Sequence, residues 1–298
     1  MAILGRRREA RRWRPVNVRP VDTRPAEAAR SLLRAVVPAR VGVGEHWAGE
    51  PVHPPSDAEL DLVRESGPRR MASFSRGRQA AREAMQDLGA PAQQVLAGAL
   101  REPSWPGGLI GSLTHCRHYA AALVAYPADL PVLGVDAEPD QPLRPGGLDL
   151  VASAAEQLHA VPLREGVGDG VHIDRLVFSA KESVYKAWFP LTRRRIEFRD
   201  VELRLCSASR TFRAWPLVDS RTLAGDAVHS FAGSWNRGAG MLVTAVFDAR
   251  FVHARDRQDR TAAERSHAMS QPPADQLTHR RRGGGPSATL TVARSART

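Results

Sequence analysis

Two patterns of hydrophobic and polar positions follow each other along the chain, one typical of helices and one typical of strands. The helical pattern comes first, in the segment 56–91. It predicts a short helix capped by Ser56 or Asp57 and a longer helix over about 68–88 that ends at Gly89. Because apolar positions recur at helical spacing, one side of the longer helix is expected to lie against a core.

Short apolar or alternating segments bounded by turn residues predict strands. The first two lie on either side of a tight polar connection at Thr114 to His118, and a third ends at Pro139. Further strands are expected in the segments 196–217 and 230–247, with a turn at the Asn-Arg-Gly sequence of 236–238 between the last two.

A second long helix is expected between these groups of strands, over 173–190, with Asp174 as its N-cap and Pro190 as its end. Helix and antiparallel strands thus occur twice, once on each side of about residue 130. This order predicts an α+β protein of two similar lobes, although no residue-level repeat between them is visible. We expect a basic flexible leader, two lobes and a disordered arginine-rich tail, at residues 1–30, 31–130, 131–250 and 251–298.

Charge is distributed unevenly over these segments. The chain has 298 residues and a formal net charge of +11, but the middle, 41–249, holds 22 basic and 25 acidic residues. The excess of arginine therefore belongs to the two ends, which favours a nucleic-acid-binding function only if the ends carry the activity. No apolar run is long enough for a membrane span, the start lacks a secretory signal, and two cysteines form no disulfide framework. These features predict a cytoplasmic protein.

Candidate chemistry begins at the end of the third predicted strand. Asp136 and Glu138 are two positions apart, so both carboxylates should point to one side of the strand. Such a pair suits a hard divalent cation like Mg²⁺, which prefers oxygen ligands and retains waters or substrate phosphates. A solvated acidic strand end has the same sequence pattern.

The second long helix contains Glu182 and Lys186 four residues apart, on one face. The pair is compatible with an ordinary surface ion pair, but its apolar flanks predict a helix that is largely buried. Lysine is otherwise rare: the chain has only two, Lys181 and Lys186, against 41 arginines. Their proximity arises by chance or marks a position where the planar guanidinium of arginine does not fit.

Cationic and imidazole side chains offer candidate phosphate contacts. His115 follows Thr114 at a strand end, where backbone N–H groups could also meet a phosphate, although a structural histidine fits equally well. Arg70 and Arg78 are eight residues apart on the first long helix and lie roughly on one side. A solvated helix face in an arginine-rich protein would show the same spacing.

In this order the motifs FSRGR, PSWPGGLIGSLTHC, GVDAEP and FSAKESVYKAWFPLT resemble those of the two-lobed 4'-phosphopantetheinyl transferases of the Sfp and enterobactin-synthetase-component type. The resemblance runs from about residue 31 to residue 247 and is specific in its combination of GSxTH, GVDxE and FSAKExxYKAW. It implies two lobes related by a pseudo-twofold axis, with the active site between them. It also implies transfer of phosphopantetheine from coenzyme A to a serine of an apo acyl or peptidyl carrier protein, with release of adenosine 3',5'-bisphosphate.

The resemblance also implies roles for the candidate residues. Asp136, Glu138 and Glu182 match the family's Mg²⁺ ligands, and Lys186 matches the lysine that contacts the transferring phosphate. Residues expected to bind coenzyme A, in part through the metal, are Arg70, Arg78, Arg101, Thr114, His115, Asp136, Glu182 and Lys186. Glu182, directly or through a metal-bound water, is the candidate base for the serine proton, so Glu182 and Lys186 are the candidate catalytic residues.

Close relatives often carry lysine shortly before the PxWP segment, where Arg101 is the nearest cation of this chain, so its role is the least determined of the set. Carriers of fatty-acid, polyketide, nonribosomal peptide and siderophore synthesis are all compatible with the sequence, and a monomer is expected. Two other classes stay open: a nucleic-acid-binding protein that acts through its basic ends, and a non-catalytic coenzyme A binder. A non-catalytic coenzyme A binder would lack an acidic ligand or the helix lysine, whereas this chain has Asp136, Glu138, Glu182 and Lys186.

Overall fold

The computed structural model describes residues 31–159 and 170–252, so the predicted leader and the tail from residue 253 onward lie outside the described residues. The first half of the described chain contains a three-stranded antiparallel sheet, ordered β1, β5, β4, and a small two-stranded sheet. Its elements are β1 (Gly42–Trp47), α1 (Asp57–Asp61), α2 (Pro68–Asp87), β2 (Leu96–Ala97), β3 (Pro103–Ser104), β4 (Ile110–His115) and β5 (Tyr119–Ala125).

The second half builds a five-stranded antiparallel sheet in the order β6, β10, β9, β8, β7. A further helical segment lies at 154–159, and a short 3₁₀ helix spans Phe198–Asp200. The named elements are β6 (Gly134–Pro139), α3 (Gly147–Val151), α4 (Ile173–Thr192), β7 (Val201–Cys206), β8 (Thr211–Pro216), β9 (Ala227–Gly238) and β10 (Met241–Val252). The predicted α+β class is confirmed, while the exact lobe boundary near residue 130 stays a prediction.

The first predicted helices form as expected. Ser56 caps α1 in a capping box with Glu59, and α2 ends at Asp87, before Gly89 with its positive φ of 78°. The strand β1 has no counterpart among the predictions, because Gly42 and Gly44 interrupt its apolar pattern.

Two predicted details of the second half are wrong. The N-cap of α4 is His172 and not Asp174, whose carboxylate instead accepts a hydrogen bond from the Leu143 N–H at 2.7 Å. The helix also continues past Pro190 to Thr192, since a proline in the last turn removes only one helical hydrogen bond.

The turn between the last two strands is also displaced from its predicted position. Asn236, Arg237 and Gly238 still pair with β10 as part of β9. The chain reverses at Ala239 and Gly240, which both have positive φ values, 49° and 74°. A two-residue hairpin with positive φ at both positions matches the twist of the flanking strands, and this preference explains the displacement.

The two sheets share a hydrophobic core. Alternate residues of β5 point in opposite directions, so Ala122 and Val124 pack toward α2 while Tyr119, Ala121, Leu123 and Ala125 pack toward the second sheet. The shared core combines residues of both halves, including Leu33, Tyr119, Leu123, Leu133, Val135, Ala137, Met241, Val243 and Ala245. Two hydroxyls join the sheets: Ser112 and Thr114 of β4 accept hydrogen bonds from the Val135 and Ala137 N–H groups of β6.

Helix α4 lies directly on β6 because of one glycine. A Cβ built at Gly134 would lie 2.0 Å from the Ser183 carbonyl oxygen, so only glycine permits this approach. Leu176, Val184 and Trp188 of α4 are buried in a second core with the five-stranded sheet. Within the described residues, no helix is long and apolar enough to cross a lipid bilayer.

Candidate active site

The strand β6 presents its acidic residues to α4. Val135 and Ala137 belong to the shared core, so the alternating residues Gly134, Asp136 and Glu138 point the other way. Their contacts agree, because Asp136 meets Lys186 and Glu138 meets Arg175, both on α4. The expectation that both carboxylates project to one side of the strand therefore matches the geometry.

Asp136 is buried at the junction of the two sheets and α4. Its Oδ1 accepts hydrogen bonds from the Lys186 ammonium at 2.7 Å and from the Thr114 hydroxyl at 3.2 Å. Lys186 also donates to the Val135 carbonyl at 3.0 Å. The other oxygen, Oδ2, is buried and has no hydrogen-bond partner among the described residues. A buried acceptor without a partner costs about 1–3 kcal/mol, which a bound cation would offset.

Glu182 extends the acidic group from the helix side. Burial raises the pKa of its carboxyl, and the Asp136 charge raises this pKa further, while Lys186 opposes both. Lys186 forms its ion pair with Asp136, so the alternative of a surface ion pair between Glu182 and Lys186 is reduced to electrostatic attraction. A half-buried carboxylate that repels its neighbour favours a divalent cation between them.

Glu138 has a different partner. Its Oε2 accepts a hydrogen bond from Arg175 Nη1 at 2.9 Å, and burial followed by the Asp136 charge raises the pKa of the Glu138 carboxyl. Across residues 31–159 and 170–252, no three histidine, cysteine or acidic side chains are grouped closely enough to hold a metal ion together. As they stand, Asp136 and Glu182 fit Mg²⁺ as a two-carboxylate site, and Glu138 as a third ligand stays a prediction.

His115 lies at the end of β4, within a group of cations. The residue is exposed to solvent, but partial desolvation of its imidazole by the surrounding protein lowers the pKa of His115. The charges of Lys186, Arg70, Arg76 and Arg78 lower this pKa further. Four positive charges around one imidazole form a favourable environment for an anion such as phosphate.

Arg76 is a member of this group that the sequence analysis did not select. It donates a hydrogen bond to the Arg117 carbonyl at 3.1 Å, and its buried Nε has no partner among the described residues. Burial lowers its pKa. Helical spacing gave no reason to choose it, since six residues separate it from Arg70 and place it on another side of α2.

Arg78 and Arg70 differ in their surroundings. Arg78 is buried, its Nε lies 3.5 Å from the buried Glu59 carboxylate, and its guanidinium lies 4.3 Å from the centroid of the Phe74 ring. Burial lowers the pKa of Arg78, whereas Arg70 is exposed. The structure brings both near His115, and the predicted contact of each with coenzyme A stays a prediction.

The two lysines of α4 point to different environments. Lys181 is buried and pairs with Glu156 at 2.8 Å, and it donates to the Phe198 carbonyl, also at 2.8 Å. Burial lowers the pKa of Lys181. Glu156 in turn accepts from the Leu203 N–H at 2.7 Å, so Lys181 holds the second half together and does not reach Asp136.

A cavity of about 660 Å³ opens between the halves and includes Lys186 in its wall. Arg101, with a positive φ of 68°, also lines it, so the structure places this predicted residue beside the site through the cavity. The remaining wall is mostly apolar with a few polar groups, and includes Ser104, Trp105, Leu109, Ser112, Val132, Leu133, Tyr185 and Phe189. Cavities of this composition suit small organic molecules.

Taken together, these groups define a site for a ligand rich in phosphate. The site has three parts: a cationic group around His115, a carboxylate pair suited to a divalent cation, and a mostly apolar cavity. Lys186 belongs to all three. Charge neutralisation and alignment are the main requirements of phosphoryl transfer. The arrangement therefore has the elements of a phosphoryl-transfer site.

Comparison with known proteins identifies the family. The profile of the 4'-phosphopantetheinyl transferase N-terminal domain matches residues 58–125, and that of the 4'-phosphopantetheinyl transferase superfamily matches residues 132–232. The chain belongs to this superfamily. It is a phosphopantetheinyl transferase, an enzyme that transfers phosphopantetheine to carrier proteins, and the resemblance noted in the sequence is confirmed.

Several curated relatives are similar over most of their length. The 4'-phosphopantetheinyl transferase Svp of Streptomyces mobaraensis is 38% identical over 218 residues, which cover 72% of this chain and 88% of the relative. The 4'-phosphopantetheinyl transferase PptT of Mycobacterium tuberculosis is 34% identical over 224 residues, 72% of this chain and 97% of the relative. Enterobactin synthase component D of Salmonella typhi is 34% identical over 134 residues, 43% of this chain and 52% of the relative.

Proposed function

We propose that the enzyme is Mg²⁺-dependent and takes 4'-phosphopantetheine from coenzyme A, releasing adenosine 3',5'-bisphosphate. The observation that carries this proposal is the unpartnered Oδ2 of Asp136, buried beside Lys186 and close enough to Glu182 to raise the pKa of that carboxyl. Asp136 and Glu182 would hold the ion, and Glu138 is the predicted third ligand. When bound, Mg²⁺ would neutralise charge on the diphosphate and polarise the phosphoryl group that is transferred.

The phosphate groups of coenzyme A fit the cations around His115. Arg70, Arg76 and Arg78 supply positive charge there, and Thr114 fixes the end of β4 to Asp136 through its hydroxyl. Lys186, already held by two oxygen acceptors of β6, is positioned to place its charge on the phosphate that is transferred.

The pantetheine arm fits the cavity that begins at Lys186. Its alternating methylene and amide groups suit a mostly apolar wall with scattered polar side chains. Arg101, at the edge of this cavity, would then meet the arm or an acidic carrier protein that approaches the opening.

The serine hydroxyl of the carrier protein must lose its proton as it attacks. We assign that proton to the Glu182 carboxylate, directly or through a water held in the site, because Glu182 lies beside Asp136 and Lys186. The serine oxygen forms a bond to the pantetheine phosphorus, the bond from that phosphorus to the bridging oxygen breaks, and adenosine 3',5'-bisphosphate leaves.

The test is incubation of the purified chain with coenzyme A, MgCl₂ and purified apo-carrier proteins of fatty-acid, polyketide and nonribosomal peptide synthesis. Mass spectrometry of each carrier reads the added phosphopantetheine group, and nucleotide chromatography reads the bisphosphate. We expect transfer that EDTA abolishes and MgCl₂ restores, and we expect Glu182→Gln to be nearly inactive. Full activity in EDTA would contradict the metal requirement, and near-normal activity of Glu182→Gln would remove it as the base.

The alternative of a nucleic-acid-binding protein rests on the arginine-rich ends. It predicts that removal of residues 1–30 and 253–298 abolishes the main activity, whereas the transferase proposal predicts that residues 31–252 suffice. Transfer assays and DNA-binding assays on the two forms of the chain separate these outcomes. The cytoplasmic location and the monomeric state remain predictions, for which cell fractionation and light scattering are the tests.

A further inference from the structure

Glu59, in the short helix α1, is a buried carboxylate that meets donors from several parts of the chain. Its Oε1 accepts a hydrogen bond from the Val95 N–H at 2.9 Å, and its Oε2 accepts one from the Ser56 N–H, also at 2.9 Å. Two arginines of α2 complete its surroundings: Arg78 Nε lies 3.5 Å from Oε1, and Arg82 Nη1 lies 3.4 Å from Oε2. Glu59 is therefore held in one position by backbone groups and by cations of α2.

The guanidinium of Arg78 is confined from two directions. Glu59 lies on its Nε side, and the ring of Phe74, one turn earlier in α2, lies 4.3 Å from the guanidinium carbon. Arg78 is only 8% exposed, and its buried Nε has no hydrogen-bond partner among the described residues. A buried guanidinium that lacks hydrogen bonds is costly, and an anion that accepts them offsets this cost.

The two arginines that share Glu59 face different surroundings. The charge of Arg78 is one of those that lower the pKa of His115, whereas that of Arg82 is not. Arg82 Nη2 donates instead to the His53 carbonyl at 3.0 Å. Of the two, Arg78 therefore belongs to the group of cations at the end of β4, and Arg82 stabilises the packing of α2 against the chain before α1.

We propose that Glu59 is a positioning residue of the phosphate-binding group: it fixes the guanidinium of Arg78 beside His115, where that guanidinium binds a phosphate of the substrate. This inference rests on the proposed use of coenzyme A. A guanidinium that is already fixed loses little conformational freedom on binding, and its planar fork can meet two phosphate oxygens at once. Because Glu59 is only 1% exposed, it acts through Arg78 and not by contact with the substrate.

Orientation and charge predict opposite effects of the substitution Glu59→Gln. Removal of a negative charge beside Arg78 would, by charge alone, strengthen the attraction of this arginine for phosphate. Loss of the fixed orientation would weaken binding instead, because the side chain must then be ordered by the ligand. We expect the second effect to dominate, since Arg82 already offsets part of the Glu59 charge. The sign of the change in affinity therefore separates the two explanations.

The experiment measures binding of coenzyme A to the full chain by isothermal titration calorimetry in MgCl₂. For Arg78→Ala we expect a Kd about tenfold higher or more, through loss of charged hydrogen bonds. For Glu59→Gln we expect a Kd about two- to tenfold higher, the cost of ordering one long side chain. In the Arg78→Ala background, Glu59→Gln should cause no further weakening. In the carrier-protein mass assay, Glu59→Gln should raise the KM for coenzyme A and leave kcat within about twofold of the parent value.

Two further variants complete the design. Arg82→Ala is the matched control, because it removes the same charge from the same carboxylate without touching the group around His115, and its Kd should stay within about twofold of the parent value. Phe74→Leu removes the ring beside the Arg78 guanidinium and leaves Glu59 intact. We expect Phe74→Leu to raise the Kd about two- to fivefold.

Unchanged or tighter binding in Glu59→Gln, with the fold verified by near-ultraviolet circular dichroism, would overturn the proposal. Equal weakening by Glu59→Gln with and without Arg78 would also overturn it, because Glu59 would then act on the fold in general, and so would equal weakening in Arg82→Ala. If Glu59→Gln does not fold, an unchanged affinity in Phe74→Leu overturns the proposal. Failure of the parent enzyme to bind coenzyme A would refute the proposed substrate itself, an outcome distinct from the others.

Discussion

The contact between Gly134 and the Ser183 carbonyl gives a quantitative prediction for Gly134→Ala. The new Cβ would lie 2.0 Å from that oxygen, and an ordinary contact exceeds 3 Å, so α4 and β6 must separate by at least about 1 Å. The clash is with backbone, so no side-chain rotation relieves it. Lys186 is on the same helix, and its 2.7 Å hydrogen bond to Asp136 must lengthen as the helix retreats.

The expected cost follows from two opposing effects. Overpacking of a well-packed core costs about 1–3 kcal/mol, whereas replacement of a glycine in a strand interior returns about 0.5–1 kcal/mol. We expect Gly134→Ala to lower the free energy of unfolding by about 1–2 kcal/mol. A displacement of about 1 Å in a catalytic group reduces turnover about a hundredfold, and the same loss is expected here.

Urea denaturation followed by tryptophan fluorescence measures the stability, and the carrier-protein mass assay measures turnover. Gly77→Ala is the matched control, because Gly77 lies within α2 and a Cβ there meets nothing within 4 Å. This control should be neutral or more stable by up to about 1 kcal/mol, with normal turnover. Parental stability and turnover in Gly134→Ala would refute the idea that close packing of α4 on β6 places Lys186.

Three further predictions concern charged groups. Glu182→Gln should raise the melting temperature at pH 7, because burial raises the folded-state pKa of Glu182 and its ionisation above that pKa costs stability. In thermal melts, the gain in melting temperature should shrink as the pH falls below the folded-state pKa of Glu182. His115 should titrate below the ordinary histidine pKa in an NMR titration, and Arg76→Gln should move its pKa back upward; no movement would place Arg76 outside this group. Lys181→Met should cost about 3–5 kcal/mol in urea denaturation by leaving Glu156 buried and unpaired, and a double variant that also carries Glu156→Gln should recover part of this loss.

The sequence predicted those features that depend on one element at a time. Strand alternation correctly placed Asp136 and Glu138 on one side, and helical spacing correctly placed Glu182 and Lys186 on one helix. Turn chemistry was less decisive, because Asn-Arg-Gly and Ala-Gly both allow a reversal and only strand register selects the second.

Features that depend on contacts between distant elements were not predictable. Arg175 contacts Glu138 across 37 positions of sequence, and no periodicity indicates this pair. Lys181 and Lys186 are the same residue type on the same helix, yet the helical rotation between them directs Lys181 to Glu156 and Lys186 to Asp136. Arg76 joins the cations around His115 only because α2 packs beside the end of β4.

The core shared by the two sheets affects how the protein folds during its synthesis on the ribosome. Its last contributors, Met241, Val243 and Ala245, belong to β10, the final strand of the described chain. Until that strand has emerged, the apolar face around Tyr119 and Leu123 has no complete partner. Most of the nascent chain is therefore synthesised while this apolar surface is still exposed. A polypeptide that ends before residue 240 lacks β10 and cannot complete the core that both halves share.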